Sequence, residues 1–222
     1  EIYTEVDTLS LQTLFRSMKE LYKRLLDICY ERQLHHLGSY FSALQIIEEI
    51  YSQKKEDDIF ILSNGHAVVA LYVVLEKYYG LDAVELHEKY GDHPKRNELD
   101  KLHCSTGSLG MGVTVAVGRA LANPNRDVYC LLSDGECAEG SVWEALRFAY
   151  ENKVTNLKLY VNANGWAAYD AVDLDYLEKR IKAFHPDVNY VRTTVEHFGL
   201  KGLHAPYTNF NEEQYKEALA SL

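Results

Sequence analysis

The sequence predicts an α/β domain with a doubly wound, mostly parallel sheet that has helices on both faces. Two observations predict this class. Short apolar runs that are typical of buried strands alternate along the chain with segments of helical periodicity, which is the pattern of an open parallel sheet. No linker, repeat or low-complexity tract separates these segments, so we expect residues 1–222 to form a single domain.

The first part of the chain is predicted to be mostly helical, with one strand. Apolar residues recur at helical spacing over 9–31 and form a wide apolar face. A Gly-Ser break precedes a second helix near 42–51. The apolar run 59–62 predicts a short buried strand that ends in a Ser-Asn-Gly turn. The apolar helix that follows, 67–79, is expected to end at Gly80.

Strands and helices alternate more regularly in the second part. The segment 84–90 predicts a short helix, and the Gly-rich segment 105–122 becomes a helix whose glycines and alanines suit close packing against a sheet. Asn211 is a candidate N-cap for the last helix, because carboxylates occupy the first turn after it. The remaining predicted elements are the strand 126–134, the helix 141–152, the strand 157–165, the helix 174–184, the strand 188–195 and the helix 211–222.

Charge and cysteine content limit the classes of partner and compartment. The formal net charge of -10 argues against nucleic acid or an anionic membrane as the main partner, although backbone N–H groups and a metal could still bind a phosphorylated ligand. The four cysteines form no CxxC pair, and such spacing is typical of reduced thiols. The sequence shows no signal peptide and no apolar run of membrane-spanning length, so we expect a cytoplasmic protein.

Polar side chains follow two strands that are neighbours along the chain. Asp134 ends the strand in LLSDG, and Asn164 ends the next strand in YVNANG. Because ligands of open parallel sheets bind beyond the carboxyl ends of the strands, both residues are candidates for a ligand site. A carboxylate and an amide oxygen side by side suit Mg²⁺ or Ca²⁺ rather than zinc. Taken alone, however, an Asp at a strand end is more often a structural turn residue.

Five motifs, in order along the chain, resemble those of one enzyme family. They are HLGSYFSALQIIEEIY, SNGHA, GDHPKRNELDKLHCSTGSLGMG, SDGECAEGSVWEA and GLHAPYTNFNEEQYKEAL. The combination is similar to the thiamine diphosphate-dependent transketolases, in particular to their N-terminal, diphosphate-binding domain. The resemblance implies a thiamine diphosphate-binding fold of the PP type, with thiamine diphosphate and Mg²⁺ (or Ca²⁺) as cofactors.

Carried over residue by residue, the resemblance implies a metal and diphosphate site. Asp134 and Asn164 would bind the metal ion, with the backbone carbonyl of Trp166 as the third protein ligand, and Gly135 would touch the diphosphate. Ser133 stands where the family usually has a Gly before the metal-binding Asp. The segment after Asn164 is shorter than the family pattern, which leaves open whether Trp166 belongs to the metal turn or to a later element.

The resemblance also implies roles for four histidines. His66 and His204 would line the diphosphate and the reacting carbon, while His36 and His93 would lie in the substrate channel for hydrogen bonding and proton transfer. Histidine suits these tasks because it titrates near neutral pH. From the residues alone, His36 could equally be one of a surface pair with His35, and His66 could cap the following helix.

Three further residues would contact the organic part of the cofactor or the subunit boundary. Gly107 and Leu109 would meet the aminopyrimidine and thiazolium rings, and Glu139 would belong to the subunit-contact network around the cofactor. Without the resemblance, the Gly-rich loop could serve only helix–sheet packing, and Glu139 could be an acid favoured by the helix dipole.

The resemblance implies an N-terminal subunit of an enzyme that transfers a two-carbon ketol unit between sugar phosphates. The sequence lacks the family's pyrimidine-binding and C-terminal domains, so we expect a second transketolase subunit, in a hetero-oligomer such as a heterotetramer or in a homodimer of such units. A truncated piece of a longer chain would have the same sequence pattern. The alternatives are another thiamine diphosphate enzyme, such as a 1-deoxyxylulose-phosphate synthase or a 2-oxoacid-processing enzyme, and a non-catalytic binding subunit.

Overall fold

Parallel strands form the central sheet of the protein. The computed structural model describes residues 2–168, 170–202, 205 and 208–222, with side chains in the first helix described from residue 15 onward. Every neighbouring pair of strands is parallel, and both faces of the sheet carry helices, so the predicted fold class is confirmed. The strands lie side by side in chain order: β1 (Ile59–Leu62), β2 (Val128–Ser133), β3 (Leu157–Ala163) and β4 (Asn189–Arg192).

The helices agree with the periodicity of the sequence, with one informative difference. Helix α2 begins at Leu37, whereas the sequence predicts a start near residue 42. Gly38 lies inside its first turn, where an added Cβ would be 2.9 Å from the Cβ of Ala205, so this glycine permits close packing and does not break the helix. The α-helices of the described chain are α1 (Ile2–Glu31), α2 (Leu37–Gln53), α3 (Val68–Tyr79), α4 (Ala83–Tyr90), α5 (Met111–Ala122), α6 (Gly140–Glu151), α7 (Leu174–Phe184) and α8 (Glu212–Ser221).

Two apolar cores lie on the two faces of the sheet. On the first face, α5, α6 and α7 pack against strand side chains such as Ile61, Cys130 and Leu159. On the second face, α1, α2, α3 and α8 pack against side chains such as Leu62 and Leu131. The connections into β2, β3 and β4 pass through α5, α6 and α7, so the strand order has no reversal. The second face is therefore covered mainly by helices that precede β1 or follow β4.

Helix α8 completes the second face by packing on α1. The rings of Tyr30 and Tyr215 are stacked with their centroids 4.2 Å apart, and the Tyr215 hydroxyl donates a hydrogen bond to Asp27 at 2.7 Å. Asn211 is the N-cap of α8, as predicted, and forms a reciprocal capping box with Gln214. The cap satisfies backbone N–H groups that the first turn of a helix would otherwise leave without a partner.

Parallel pairing places the carboxyl ends of β1, β2 and β3 at one edge of the sheet. The backbone N–H of Ser63 donates to the carbonyl of Leu131 at 2.8 Å, and that of Asp134 donates to the carbonyl of Asn162 at 3.0 Å. These two bonds extend the ladder one residue beyond β1 and β2. Short 3₁₀ turns, Gly65–Ala67 after β1 and Gly135–Ala138 after β2, start next to each other there.

Two further features bear on the expected compartment. Cys29, Cys104, Cys130 and Cys137 are all buried and form no disulfide. Within the described ranges, no helix combines the length and the apolar composition needed to cross a membrane.

Helix α5 packs directly against the end of β1. A Cβ added to Gly112 would lie 2.6 Å from the Cα of Ser63, which is closer than real Cβ contacts come. Gly118 lies further along the same helix, where it is exposed and an added Cβ would have no neighbour within 4 Å. The two glycines therefore form a matched pair, in which only the first is needed for close packing.

We expect Gly112→Ala to lower the free energy of unfolding by about 1–3 kcal/mol, because the new methyl group must push α5 away from Ser63. Gly118→Ala should raise it by about 0.5–1 kcal/mol, since alanine favours the helical backbone and meets no neighbour. Denaturant titrations of both variants and the wild type measure these changes. Equal stability of the two variants would contradict the close contact between α5 and β1.

Candidate functional site

A small cavity opens where the strands β1, β2 and β3 end. Its volume is about 110 Å³. Most of the site residues that the sequence analysis assigned lie around it, but Asp134, Gly107, His93 and Glu139 are behind or beside its wall. The lining residues are His36, Ser39, His66, Leu109, Ser133, Gly135, Asn164, Trp166, Ala167 and Ala168.

Asp134 joins the ends of β2 and β3 through its carboxylate. The side chain is 2% exposed. Its Oδ1 atom accepts a hydrogen bond from the N–H of Gly135 at 2.9 Å, and Oδ2 accepts one from the N–H of Gly165 at 2.6 Å. Burial raises the pKa of Asp134 to about 6, although these backbone donors act in the opposite direction. No Lys, Arg or His of the described chain forms an ion pair with this carboxylate.

Asn164 follows β3 and lines the cavity next to Asp134. Its side-chain Oδ1 accepts a hydrogen bond from the N–H of Trp166 at 3.0 Å. Its Nδ2 donates to the hydroxyl of Ser42 at 3.3 Å, and Asn162 Nδ2 donates to the same hydroxyl at 2.9 Å. Ser42 therefore fixes the amide so that the oxygen stays on the side of the Asp134 turn. The structure thus brings together the two side chains that the sequence places at neighbouring strand ends.

The donor set at these strand ends suits a hard divalent cation. Asp134 offers a buried carboxylate without a cationic side-chain partner, and Asn164 offers an amide oxygen. Both are ligands that Mg²⁺ and Ca²⁺ prefer. No group of three His, Cys, Asp or Glu residues among those described could hold a metal ion. A bound cation would therefore need backbone carbonyls, with Trp166 nearby, and oxygens of its ligand.

Two histidine rings face each other at the cavity. His36 precedes α2 in the left-handed conformation, with a φ of 64°, and its ring centroid is 5.5 Å from that of His66 in the turn after β1. Burial lowers the pKa of His66 to about 4, and the charges of His36 and His93 lower it further. Burial also lowers the pKa of His36, although Asp92 acts in the opposite direction. Both rings are therefore neutral at pH 7, so each can donate one hydrogen bond and accept another.

The other two predicted histidines differ in what the structure describes. His93 is exposed, and its ring lies over Gly107, where an added Cβ would be 2.9 Å from His93 Cδ2. It is close enough to His36 and His66 to affect the pKa of both. His204 lies outside the described residues, so its role stays a prediction.

The Gly-rich loop before α5 packs against the turn after β1. Thr106 Oγ1 donates a hydrogen bond to the carbonyl of Leu62 at 2.7 Å. A Cβ added to Gly65 would lie 2.7 Å from Thr106 Oγ1 and 2.9 Å from the backbone nitrogen of Gly107, so position 65 has no room for a side chain. This contact places Leu109, further along the loop, in the wall of the cavity.

The two acids that follow Asp134 in the sequence have opposite environments. Glu139 is exposed beside Gly110 and makes no side-chain cap at the start of α6. Glu136 is 0% exposed, and sequence reasoning missed it. Its Oε1 accepts from Ser63 Oγ at 2.7 Å and from the N–H of Gly110 at 2.9 Å, and its Oε2 accepts from the N–H of Ser133 at 3.1 Å. Ser39 and Ser42 were also missed, because their sequence pattern is that of ordinary helix residues.

The low pKa of His66 makes a specific prediction for stability. The unfolded chain binds a proton at the ordinary pKa of 6.5, but the folded chain does so only near pH 4. The contribution of His66 is therefore fully present above pH 6.5 and is lost as the pH falls toward 4, by at most about 3 kcal/mol. Replacing His66 by Asn should flatten the fall of the unfolding free energy over this range, as measured by denaturant titration at several pH values. Parallel profiles of the two proteins would contradict a neutral buried ring.

Comparison with known protein families and sequences gives consistent results. The family described as the transketolase, thiamine diphosphate binding domain, matches residues 39–201. One of the two subunits of an apulose-4-phosphate transketolase from Phocaeicola vulgatus is 30% identical over 209 residues, which cover 83% of this chain and 72% of that protein. Human transketolase is 37% identical over 143 residues, which cover 58% of this chain but only 23% of that protein.

Solved structures show the same fold. Transketolase from Campylobacter jejuni superimposes with a TM-score of 0.63 at 20% identity, covering 91% of this chain and 42% of that chain. A transketolase variant from Pichia stipitis superimposes with a TM-score of 0.58 at 19% identity, covering 78% of this chain and 36% of that chain. With the family match extending over most of its length, this chain belongs to the thiamine diphosphate-binding domain family of the transketolases, which are thiamine diphosphate-dependent transferases.

Proposed function

We propose that this chain is the N-terminal, diphosphate-binding subunit of an enzyme that transfers a two-carbon ketol unit between sugar phosphates. One observation carries the proposal: Asp134 and Asn164 meet at the ends of β2 and β3, beside a cavity that also contains His36 and His66. Oxygen ligands and neutral imidazoles at one sheet edge are the groups that a metal-bound diphosphate and a reacting carbonyl require.

The proposed metal is Mg²⁺ or Ca²⁺, held by Asp134, Asn164 and the backbone carbonyl of Trp166. Gly135 lies in the cavity wall, where the absence of a side chain lets a diphosphate approach the backbone. His66 and His204 would contact the diphosphate and the reacting carbon. In this role the metal orients the cofactor and neutralises its charge, and it does not activate water.

When bound, thiamine diphosphate supplies the electron sink for cleavage of a carbon–carbon bond beside a carbonyl. The chain itself must then orient the substrate and move protons. His36 and His66 are neutral at pH 7, so each ring can accept a proton from a substrate hydroxyl and return it later. His93, exposed beside them, would contact the incoming sugar.

A second subunit is part of the proposal. Ligand pockets are usually about 300–1,000 Å³, and a cavity of about 110 Å³ holds only part of a thiamine diphosphate molecule. Gly107, Leu109 and the exposed Glu139 would meet the cofactor rings and the subunit boundary, and the partner would bind the pyrimidine. Two similar proteins are each named as one subunit of an apulose-4-phosphate transketolase, which supports this division. The buried, unpaired cysteines support a reducing compartment such as the cytoplasm.

The metal role of Asp134 can be tested by calorimetric titration of thiamine diphosphate in the presence of Mg²⁺. Asp134→Asn keeps the size of the side chain but removes its charge, so the affinity should fall by at least about 100-fold. Asp187→Asn is the matched control, because Asp187 is exposed just before β4 at the opposite edge of the sheet. Unchanged Mg²⁺-dependent binding in Asp134→Asn would refute the ligand assignment.

Ketol transfer itself can be tested by mixing the purified chain with a ketose phosphate donor and a candidate pyrimidine-binding subunit. We expect transfer to an aldose phosphate from the mixture and none from either polypeptide alone, since each holds only part of the cofactor site. Pyruvate in place of the ketose tests the other thiamine diphosphate reactions. Activity of this chain alone would refute the need for a partner, and turnover of pyruvate only would refute ketol transfer.

A further inference from the structure

The carboxylate of Glu136 connects three segments of the site that are far apart in sequence. Through Ser63 it contacts the end of β1, through Gly110 the loop before α5, and through Ser133 the end of β2. Glu136 is fully buried and does not line the cavity. It therefore cannot touch a ligand there and can act only through the residues that it holds.

Gly110 is the residue whose position Glu136 determines most directly. Its N–H donates to Glu136, and its carbonyl accepts a hydrogen bond from the hydroxyl of Ser141 at 3.0 Å. Its φ is +75°, and an added Cβ would lie 2.5 Å from Ser141 Oγ. The peptide groups on both sides of Gly110 are thus fixed by the turn after β2 and by α6. Leu109, which lines the cavity, immediately precedes this fixed point.

We infer that Glu136 is a positioning residue for the loop 107–110, which, on the proposed function, contacts the rings of thiamine diphosphate. The carboxylate does so by holding the end of this loop against the turn that carries Asp134. It sets the distance between the ring side and the diphosphate side of the cofactor site. Asp134 and Asn164 serve the diphosphate side, whereas Glu136 serves the ring side through Gly110.

A carboxylate suits this position because all of its bonds here are acceptor bonds. The two backbone donors, Gly110 and Ser133, face different oxygens of Glu136 and cannot reverse their polarity. Glutamine offers only one oxygen, so its NH₂ group would face one of these N–H groups. The Ser63 hydroxyl can rotate, but the backbone groups cannot. Even the isosteric substitution therefore disturbs the clamp.

The experiment compares two probes on the full chain in the presence of Mg²⁺. Calorimetry measures the affinity for thiamine diphosphate and, separately, for inorganic pyrophosphate, which probes the diphosphate side alone. For Glu136→Gln we expect the affinity for thiamine diphosphate to fall by about tenfold or more, and that for pyrophosphate to change by less than about threefold. Glu144→Gln, an exposed carboxamide change on α6, should alter neither.

The second variant, Ser141→Ala, keeps the inference testable if Glu136→Gln does not fold. It releases only the carbonyl of Gly110 and should produce the same unequal loss at about threefold. An equal loss of both probes, or no loss in a folded Glu136→Gln protein, would overturn the positioning role. Failure of the wild-type chain to bind either probe would instead refute the proposed function.

Discussion

The bond between the Asp134 carboxylate and the N–H of Gly165 is the interaction on which the arrangement of the site depends. It closes the gap between β2 and β3 just beyond the last ladder bond, and it holds the turn after Asn164 against the turn after β2. A carboxylate that is 2% exposed and has no cationic partner in the described chain is costly to keep ionised. A cation among its oxygens would relieve this cost, so the same burial that disfavours the charged carboxylate would favour binding of the ion.

The two halves of the site solve opposite electrostatic problems. At the metal side, a buried acid needs positive charge. At the mouth, His36 and His66 lie so close, with 5.5 Å between ring centroids, that protonating one disfavours protonating the other. Burial and mutual repulsion therefore keep the rings neutral without any acid in contact with them. A neutral pair can pass protons in either direction, which suits a reaction that first cleaves and then forms a carbon–carbon bond.

Local sequence patterns predicted the elements and the strand-end residues, because both depend on short-range features. The apolar run of β1 and the Asp-Gly and Asn-Gly turns after β2 and β3 are visible within a few residues. The roles of Glu136 and Ser42 could not be predicted in this way. Ser42 is 120 positions from Asn162, whose amide it accepts, and Glu136 is 73 positions from Ser63. Their sequence context is that of ordinary turn and helix residues, so only the packed fold shows their partners.

The contact between α1 and α8 has a consequence for how the domain is made. Asp27 and Tyr215 lie 188 positions apart, so their bond can form only after nearly all of the chain between them has left the ribosome. By then the sheet has paired and α1 has packed on α2 and α3, but an apolar strip of α1 is still open to solvent. Docking of α8 is thus a late event of folding during synthesis, and until it occurs the nascent domain exposes a surface that chaperones can bind.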